Sequence, residues 1–277
     1  MAILRFILDL FCRCYRCLSR PDPKYRSFNT IFSWANDSVM LNCNSERIPR
    51  SLLQGASISV IRCVLGNKMS VEDRFKKRYT TGDTPWDIGK PDFNLIETVA
   101  QKSIKRCKAL DIGCGTGDNS IWLAQKHFQV TGTDISEIAI EKAREKASKS
   151  DVKCTFLVVD FFRNQIEGAP FGFVFDRGCF HTCDSDKERK RYAINVASNL
   201  EKNGIWLSLI GSADERRQGP GPPQRTASDI VTAVESYFEI LLLTSSHFDS
   251  NRQNPPRCWV CLMQKREDVS EAPRPNL

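Results

Sequence analysis

The sequence predicts an α/β fold: a seven-stranded, mostly parallel sheet with helices on both faces and an antiparallel hairpin at its C-terminal end. Three observations carry this expectation. From about residue 71 onward, short apolar runs alternate with helix-like segments, the spacing of βαβ units. The first of these runs leads into Ala109-Leu-Asp-Ile-Gly-Cys-Gly-Thr-Gly117, a loop with glycine at three alternate positions. The last two strand-like runs have no helix between them, so they should pair as a hairpin.

Taken in order, an amphipathic helix is expected from Pro91 to Lys105, with the proline pre-set for a first turn. Strand 107–112 follows, then helix 118–127, strand 129–134 and helix 136–149. Ser136 caps that last helix without a full capping box, because Ala139 stands three residues on. Strands 153–159 and 172–176, helix 186–202, strand 204–210, helix 227–236 and strands 238–245 and 257–264 complete the pattern. Residues 1–70 lack sustained periodicity and read as a basic extension, 71–267 as the main domain, and the Pro-rich 268–277 as a disordered tail.

The glycine loop states its chemistry through spacing. Glycine lets backbone lie against a ligand and adopt positive φ. A dinucleotide fingerprint is Gly-x-Gly-x-x-Gly, with pyrophosphate on a helix N-terminus. Here the third glycine, after Gly113 and Gly115, comes one residue early at Gly117, and Asp118 stands beside it with Asp111 before the loop. Two carboxylates repel pyrophosphate and suit a cationic ligand carrying an ammonium group. S-adenosylmethionine is the expected cofactor.

In an open α/β sheet, ligands bind beyond the carboxyl ends of the strands. Asp134 ends the second strand, with Ile135 beside it, and its carboxylate can accept both hydroxyls of a ribose. The alternative for Asp134 is a charge at the N-terminus of the next helix. Asp160-Phe161 ends the third strand, where the acid can accept from the adenine amine and the ring can cover the base; a turn aspartate with a core phenylalanine is the alternative. Asp176-Arg177-Gly178 ends the fourth, where the reactive end of the cofactor should meet its acceptor; a structural ion pair is the alternative.

Flanking residues add candidates. Trp86, in the turn-rich Tyr79–Pro91 loop, is expected either to close over the sulfonium or to pack a helix on the sheet. Gly219-Pro-Gly-Pro-Pro223, flanked by Arg216, Arg217 and Arg225, is a lid or a solvated connector. His181 is the histidine nearest the expected site and a candidate base; a hydrogen-bonded structural role is its alternative. Cys179 and Cys183 are expected to pack rather than attack.

The formal charge of +7 is unevenly spread. Residues 1–68 hold ten Lys/Arg against four Asp/Glu, whereas residues 69–277 hold thirty against twenty-nine. A nearly neutral main domain argues against a phosphate-tracking surface, so nucleic acid is not an expected partner. The twelve cysteines are scattered, and Cys12, Cys14 and Cys17 lack a second cluster with metal spacing, so no metal is expected. The apolar N-terminus, broken by Arg5 and Asp9, falls short of the roughly 20 residues that span a bilayer. Weak membrane association or organelle targeting through residues 1–20 stands as an alternative to a cytoplasmic monomer.

Residues about 70–265 resemble class I S-adenosylmethionine-dependent methyltransferases, a Rossmann-like group with seven strands ending in such a hairpin. Thr84-Pro-Trp-Asp-x-Gly89, Phe175-Asp-Arg-Gly178 and Gly221-Pro-Pro223 together resemble the thiopurine S-methyltransferase and plant halide/thiol methyltransferase group. The resemblance implies that Trp86 helps to cover the cofactor and that Arg177 lies at the acceptor pocket. The sequence departs from the group after Gly178, where Cys-Phe-His-Thr-Cys183 replaces a more aliphatic stretch. The expected reaction is methyl transfer to a small soft nucleophile, a thiol first and a halide or metalloid anion next. The rivals are a macromolecular methyltransferase docking through the N-terminal extension, and a non-catalytic cofactor-binding protein.

Overall fold

The structure, a computed structural model, describes residues 71–267 apart from Gln165, Arg216, 218–220 and Arg252, together with four short strands between residues 33 and 47. The chain divides into two units between Lys68 and Met69. In the first, β1 (Ser33–Ala35) pairs antiparallel with β2 (Ser38–Met40), and β3 (Asn42–Cys43) with β4 (Glu46–Arg47). The expectations for Cys12, Cys14, Cys17, residues 1–20 and the 268–277 tail lie outside the described residues.

The second unit runs α1 (Val71–Thr81), α2 (Phe93–Gln101), β5 (Lys108–Ile112), α3 (Asp118–Gln125), β6 (Gln129–Asp134), α4 (Glu137–Lys149) and β7 (Cys154–Val158). It continues with β8 (Phe171–Arg177), a 3-10 turn (Phe180–Thr182), α5 (Asp186–Asn199), β9 (Leu200–Gly211), α6 (Ala227–Val234), β10 (Phe238–His247) and β11 (Arg257–Lys265). The sheet order is β10-β11-β9-β8-β5-β6-β7, with β11 antiparallel to both its neighbours and the five strands from β9 to β7 parallel. The expected seven-stranded, mostly parallel sheet with a C-terminal antiparallel pair is therefore present.

Chain order reverses between β5 and β8, where Ile112 stands opposite Asp176. That pairing marks the switch point at which an open sheet leaves a crevice. Both strands are buried on two faces and so read as apolar runs. On one face Leu110, Val174, Trp206 and Ile210 pack with Tyr192 of α5 and Ile230 of α6. On the other, Ala109, Phe173, Phe175, Leu207 and Leu209 pack with Leu95 of α2 and Leu123 of α3. The period-two alternation along β8 and β9 sorts their side chains between these layers.

Several boundaries move from expectation. Pro91 stays outside α2 because Asp92 is the cap, its carboxylate accepting the Asn94 N–H at 2.9 Å. Helix α5 stops at Asn199 and β9 begins at Leu200, whose buried side chain lies opposite Phe171. Helix α1 is an additional element, and its last turn takes residues 79–81 out of the expected Tyr79–Pro91 loop. Of the described helices, none is long and apolar enough to cross a membrane.

Candidate active site

The glycine loop leaves β5 at the switch point, and Gly113, Gly115 and Gly117 take φ of +66°, +57° and +86°. Those values lie in the left-handed region that side chains resist. Space matters as much as torsion. A Cβ on Gly113 would collide with Cys179 Sγ, and one on Gly115 would come within 3.0 Å of the Tyr79 hydroxyl. Cys179 S–H donates to the Ile112 carbonyl at 3.2 Å, so the turn after β8 closes directly onto the loop after β5.

Three acids end adjacent strands here. Asp134 accepts the Gly115 N–H at 3.0 Å and the Ser136 N–H at 2.8 Å, which joins the end of β6 to the loop. Burial raises its pKa, against the pull of those backbone donors. Ile135, half-buried, follows it. Asp111 is 1 % exposed and accepts from Ser120 Oγ at 2.6 Å; burial pushes its carboxyl up to about 7. Among the described residues, no Lys, Arg or His forms an ion pair with Asp111, Asp134 or Asp176. Buried carboxylates without a counter-ion favour a cation brought by a ligand.

Asp118, read as a second attractor for that cation, is instead neutralised: Lys146 Nζ lies 2.8 Å from its carboxylate. Lys146 also donates to Thr116 Oγ1 at 2.6 Å, and Thr116 donates to Asp87 at 2.8 Å. This latch fastens the Trp86-Asp87 segment onto the glycine loop.

Asp176 is taken up by protein donors. It is fully buried, and its oxygens accept the Cys179 and Phe180 N–H groups, each at 3.1 Å, and Trp206 Nε1–H at 2.9 Å. Its work is to shape the 3-10 turn, and burial pushes its pKa up to about 6. Phe161 takes the arrangement of the core alternative: its ring packs against Tyr192, with centroids 5.3 Å apart. Asp160 makes a local turn, accepting the Phe162 N–H at 2.9 Å and pairing with exposed Arg163 at 3.1 Å.

Trp86 is committed to protein contacts. Its Nε1–H donates to the Tyr79 hydroxyl at 3.1 Å, Phe75 meets it edge-on, and the cation over its ring is Arg78, 4.8 Å from the centroid. It clamps α1 against the loop. Tyr79 is the residue the sequence reading missed; the signal was the i, i+4 pair Phe75 and Tyr79 in Val-Glu-Asp-Arg-Phe-Lys-Lys-Arg-Tyr.

Arg177 is a structural tie. Its Nε lies 2.7 Å from Asp92, and its terminal nitrogens donate to the Asp249 carbonyl at 2.7 Å and the Trp86 carbonyl at 3.3 Å. The expected ion pair is therefore made with Asp92 rather than Asp176. His181 Nδ1 accepts the Gly211 N–H at 3.0 Å, the hydrogen-bonded arrangement given as its alternative, which uses the lone pair and leaves the proton on Nε2. Burial, then the guanidiniums of Arg225, Arg177, Arg217 and Arg74, push its pKa down to about 3. The described part of the 212–225 loop is pinned down, with Arg225 donating to the Cys183 carbonyl at 2.7 Å and Arg217 to the Pro222 carbonyl at 2.7 Å. Gly219 and Arg216 lie outside the described residues. Cys179, Cys183 and the other described cysteines are free, and burial raises the thiol pKa of both.

A family profile described as a methyltransferase domain matches residues 109–204. An uncharacterised methyltransferase of Schizosaccharomyces pombe, C977.03, is 43 % identical over 110 residues, spanning 39 % of this chain and 74 % of that protein. The chain belongs to the S-adenosylmethionine-dependent methyltransferases. The methyltransferase is also 32 % identical over 148 residues to probable thiol methyltransferase 2 of Arabidopsis thaliana; the match covers 53 % of this chain and 65 % of the relative's length. To thiocyanate methyltransferase 1 of Brassica oleracea it is 29 % identical over 189 residues, 66 % of this chain and 78 % of the relative. The fold is shared with a solved structure titled for conversion of a disulfide bond into a thioacetal group during echinomycin biosynthesis. The TM-score is 0.63, with 22 % identity over 73 % of this chain and 94 % of that one. The loop that a Cβ would fill and the unpaired acids beneath it fit the sulfonium cofactor of the family.

Proposed function

We propose that this methyltransferase moves the methyl group of S-adenosylmethionine to a small, soft nucleophile that arrives as an anion, a thiolate or thiocyanate being the leading class. The observation that carries this reading is the spent lone pair of His181. The acids at the strand ends are also engaged, by Ser120 at Asp111 and by backbone and indole N–H groups at Asp134 and Asp176. A site without a free base suits an acceptor that needs none. A thiol is already a few per cent thiolate at pH 7, and thiocyanate has no proton to lose. The similarity to a thiol and a thiocyanate methyltransferase supports the same choice.

In this reading the glycine loop backs the cofactor, Asp134 accepts its ribose hydroxyls and Asp160 its adenine amine. Asp111 ties the end of β5 to Ser120 of α3 behind the loop. The acceptor's electron pair forms the new bond to the methyl carbon while the carbon–sulfonium bond breaks. Its electrons remain on sulfur as S-adenosylhomocysteine. Holding the three atoms in line supplies most of the acceleration. Residues 71–267 form the catalytic unit, and residues 1–70 stand outside it.

The test is to incubate the full chain with methyl-labelled cofactor and thiocyanate, hydrosulfide, iodide or benzenethiol, alongside an alcohol and an amine of similar size. Label should pass to the soft anions and not to the alcohol. Transfer only to hydroxyl, RNA or protein would overturn the reading.

A further inference from the structure

His181 sits where the loops after β8 and β9 meet. Gly178, at φ +88°, brings its backbone so close that a Cβ would stand 3.0 Å from Cε1 and 3.1 Å from Nε2 of the imidazole. Phe248 meets the ring edge-on at 6.0 Å, and the Gly211 N–H holds Nδ1. The residue is only 6 % exposed, yet Nε2–H finds no hydrogen-bond acceptor among the described residues, and Nε2 is not one of the sealed, unpartnered atoms of the interior. Nε2–H is therefore open to the space beside the turn, where a bound ligand can accept from it in place of water.

We propose that His181 Nε2–H is a fixed hydrogen-bond donor to the anionic methyl acceptor, a binding residue of the acceptor pocket rather than a base. Three features fit that role together. The tautomer is set by the Gly211 N–H, so the donor is present without any pH adjustment. Burial first, and then the charges of Arg225, Arg177 and Arg217, keep the ring neutral. Cys179, two residues earlier, donates to the Ile112 carbonyl beneath the glycine loop, so His181 belongs to the same turn that closes onto that loop. A hydrogen bond from neutral imidazole orients an anion without protonating it, which leaves its lone pair free for attack.

The inference rests on the anionic-acceptor reading, and its test separates the two. His181→Asn keeps an oxygen near the Nδ1 position for the Gly211 N–H and removes the donor. His181→Gln puts an amide N–H at the reach of Nε2. With the cofactor saturating, His181→Asn should raise KM for thiocyanate about ten- to a hundredfold, the worth of a hydrogen bond to a charged group. Its affinity for S-adenosylhomocysteine should be unchanged, and His181→Gln should recover most of the loss. Nitrogen NMR of the histidine-labelled wild type with S-adenosylhomocysteine should show Nε2 protonated from about pH 5 to 9, and added thiocyanate should shift that signal. A normal KM in His181→Asn, equal loss of cofactor affinity, or an Nε2 signal deaf to thiocyanate would each overturn the donor role. A shifted signal without turnover would keep that role and overturn the proposed reaction instead.

Discussion

Arg177 Nε lies 2.7 Å from the Asp92 carboxylate, so the end of β8 is bolted to the cap of α2 through a pair whose side chains are 12 % and 1 % exposed. The bolt also carries the Asp249 N–H, which donates to the same carboxylate at 3.1 Å. Breaking such a pair from one side strands a buried charge, at a cost of about 3–5 kcal/mol. Arg177→Ala should show that loss in urea denaturation. Asp92→Asn combined with Arg177→Met should cost much less than the two single changes added. Strict additivity would mean the residues do not act together.

Gly113 is constrained by torsion and by the sulfur above it. Gly113→Ala should abolish measurable cofactor binding in calorimetric titration with S-adenosylhomocysteine. Part of its damage is contact with Cys179 Sγ. Cys179→Gly in the same chain should restore some stability, leaving about 1 kcal/mol for the unfavourable φ. If Cys179→Gly rescues nothing, the close approach of the two loops is not what demands glycine.

The latch from Asp87 through Thr116 to Lys146 holds the Trp86-Asp87 segment to the glycine loop. Lys146→Met leaves Asp87 and Asp118 facing each other without their shared cation, 3.6 Å and 2.8 Å from Nζ in the intact protein. Cofactor affinity should fall several-fold, chiefly through faster dissociation, with the fold intact by circular dichroism. An unchanged dissociation rate in stopped-flow would remove the latch from the account.

Two buried acids set a pH dependence. Burial raises Asp111 to about 7 and Asp176 to about 6 from the ordinary 3.8, so the folded state binds those protons more tightly. Their stabilisation is complete below about pH 4 and is lost as pH rises through about 7. His181, pushed down to about 3 from 6.5, acts in the opposite sense and costs stability as pH falls below about 6.5. Asp111→Asn keeps an acceptor for Ser120 and isolates one contribution. Without cofactor its melting temperature should exceed the wild type's at pH 8 and converge with it at pH 5. The reverse order would mean Asp111 is stabilised as a carboxylate.

The glycine loop, Asp134 and the strand order could be read from the sequence because each is local: a spacing, a strand end, a period. Arg177–Asp92, His181–Gly211 and Tyr79–Gly115 could not, since each joins segments brought together only by the folded sheet. Phe161 shows a different limit. A strand end does not say whether an aromatic there faces a ligand or the core, and both Phe161 and its neighbour Phe162 pack on Tyr192. Asp118 was misjudged because its counter-ion, Lys146, sits on the following helix. His181 was placed near the site by position, but its role depends on which nitrogen the Gly211 N–H occupies.

The central claim is that the acceptor brings its own negative charge and the protein supplies no base. The most direct measurement is kcat/KM against pH for a series of thiols of different pKa, with thiocyanate as the proton-free reference and the cofactor saturating. For each thiol the rise should follow that thiol's own pKa, and thiocyanate should give a flat profile. A single inflection common to every thiol and independent of its pKa would place a base in the protein and contradict the account.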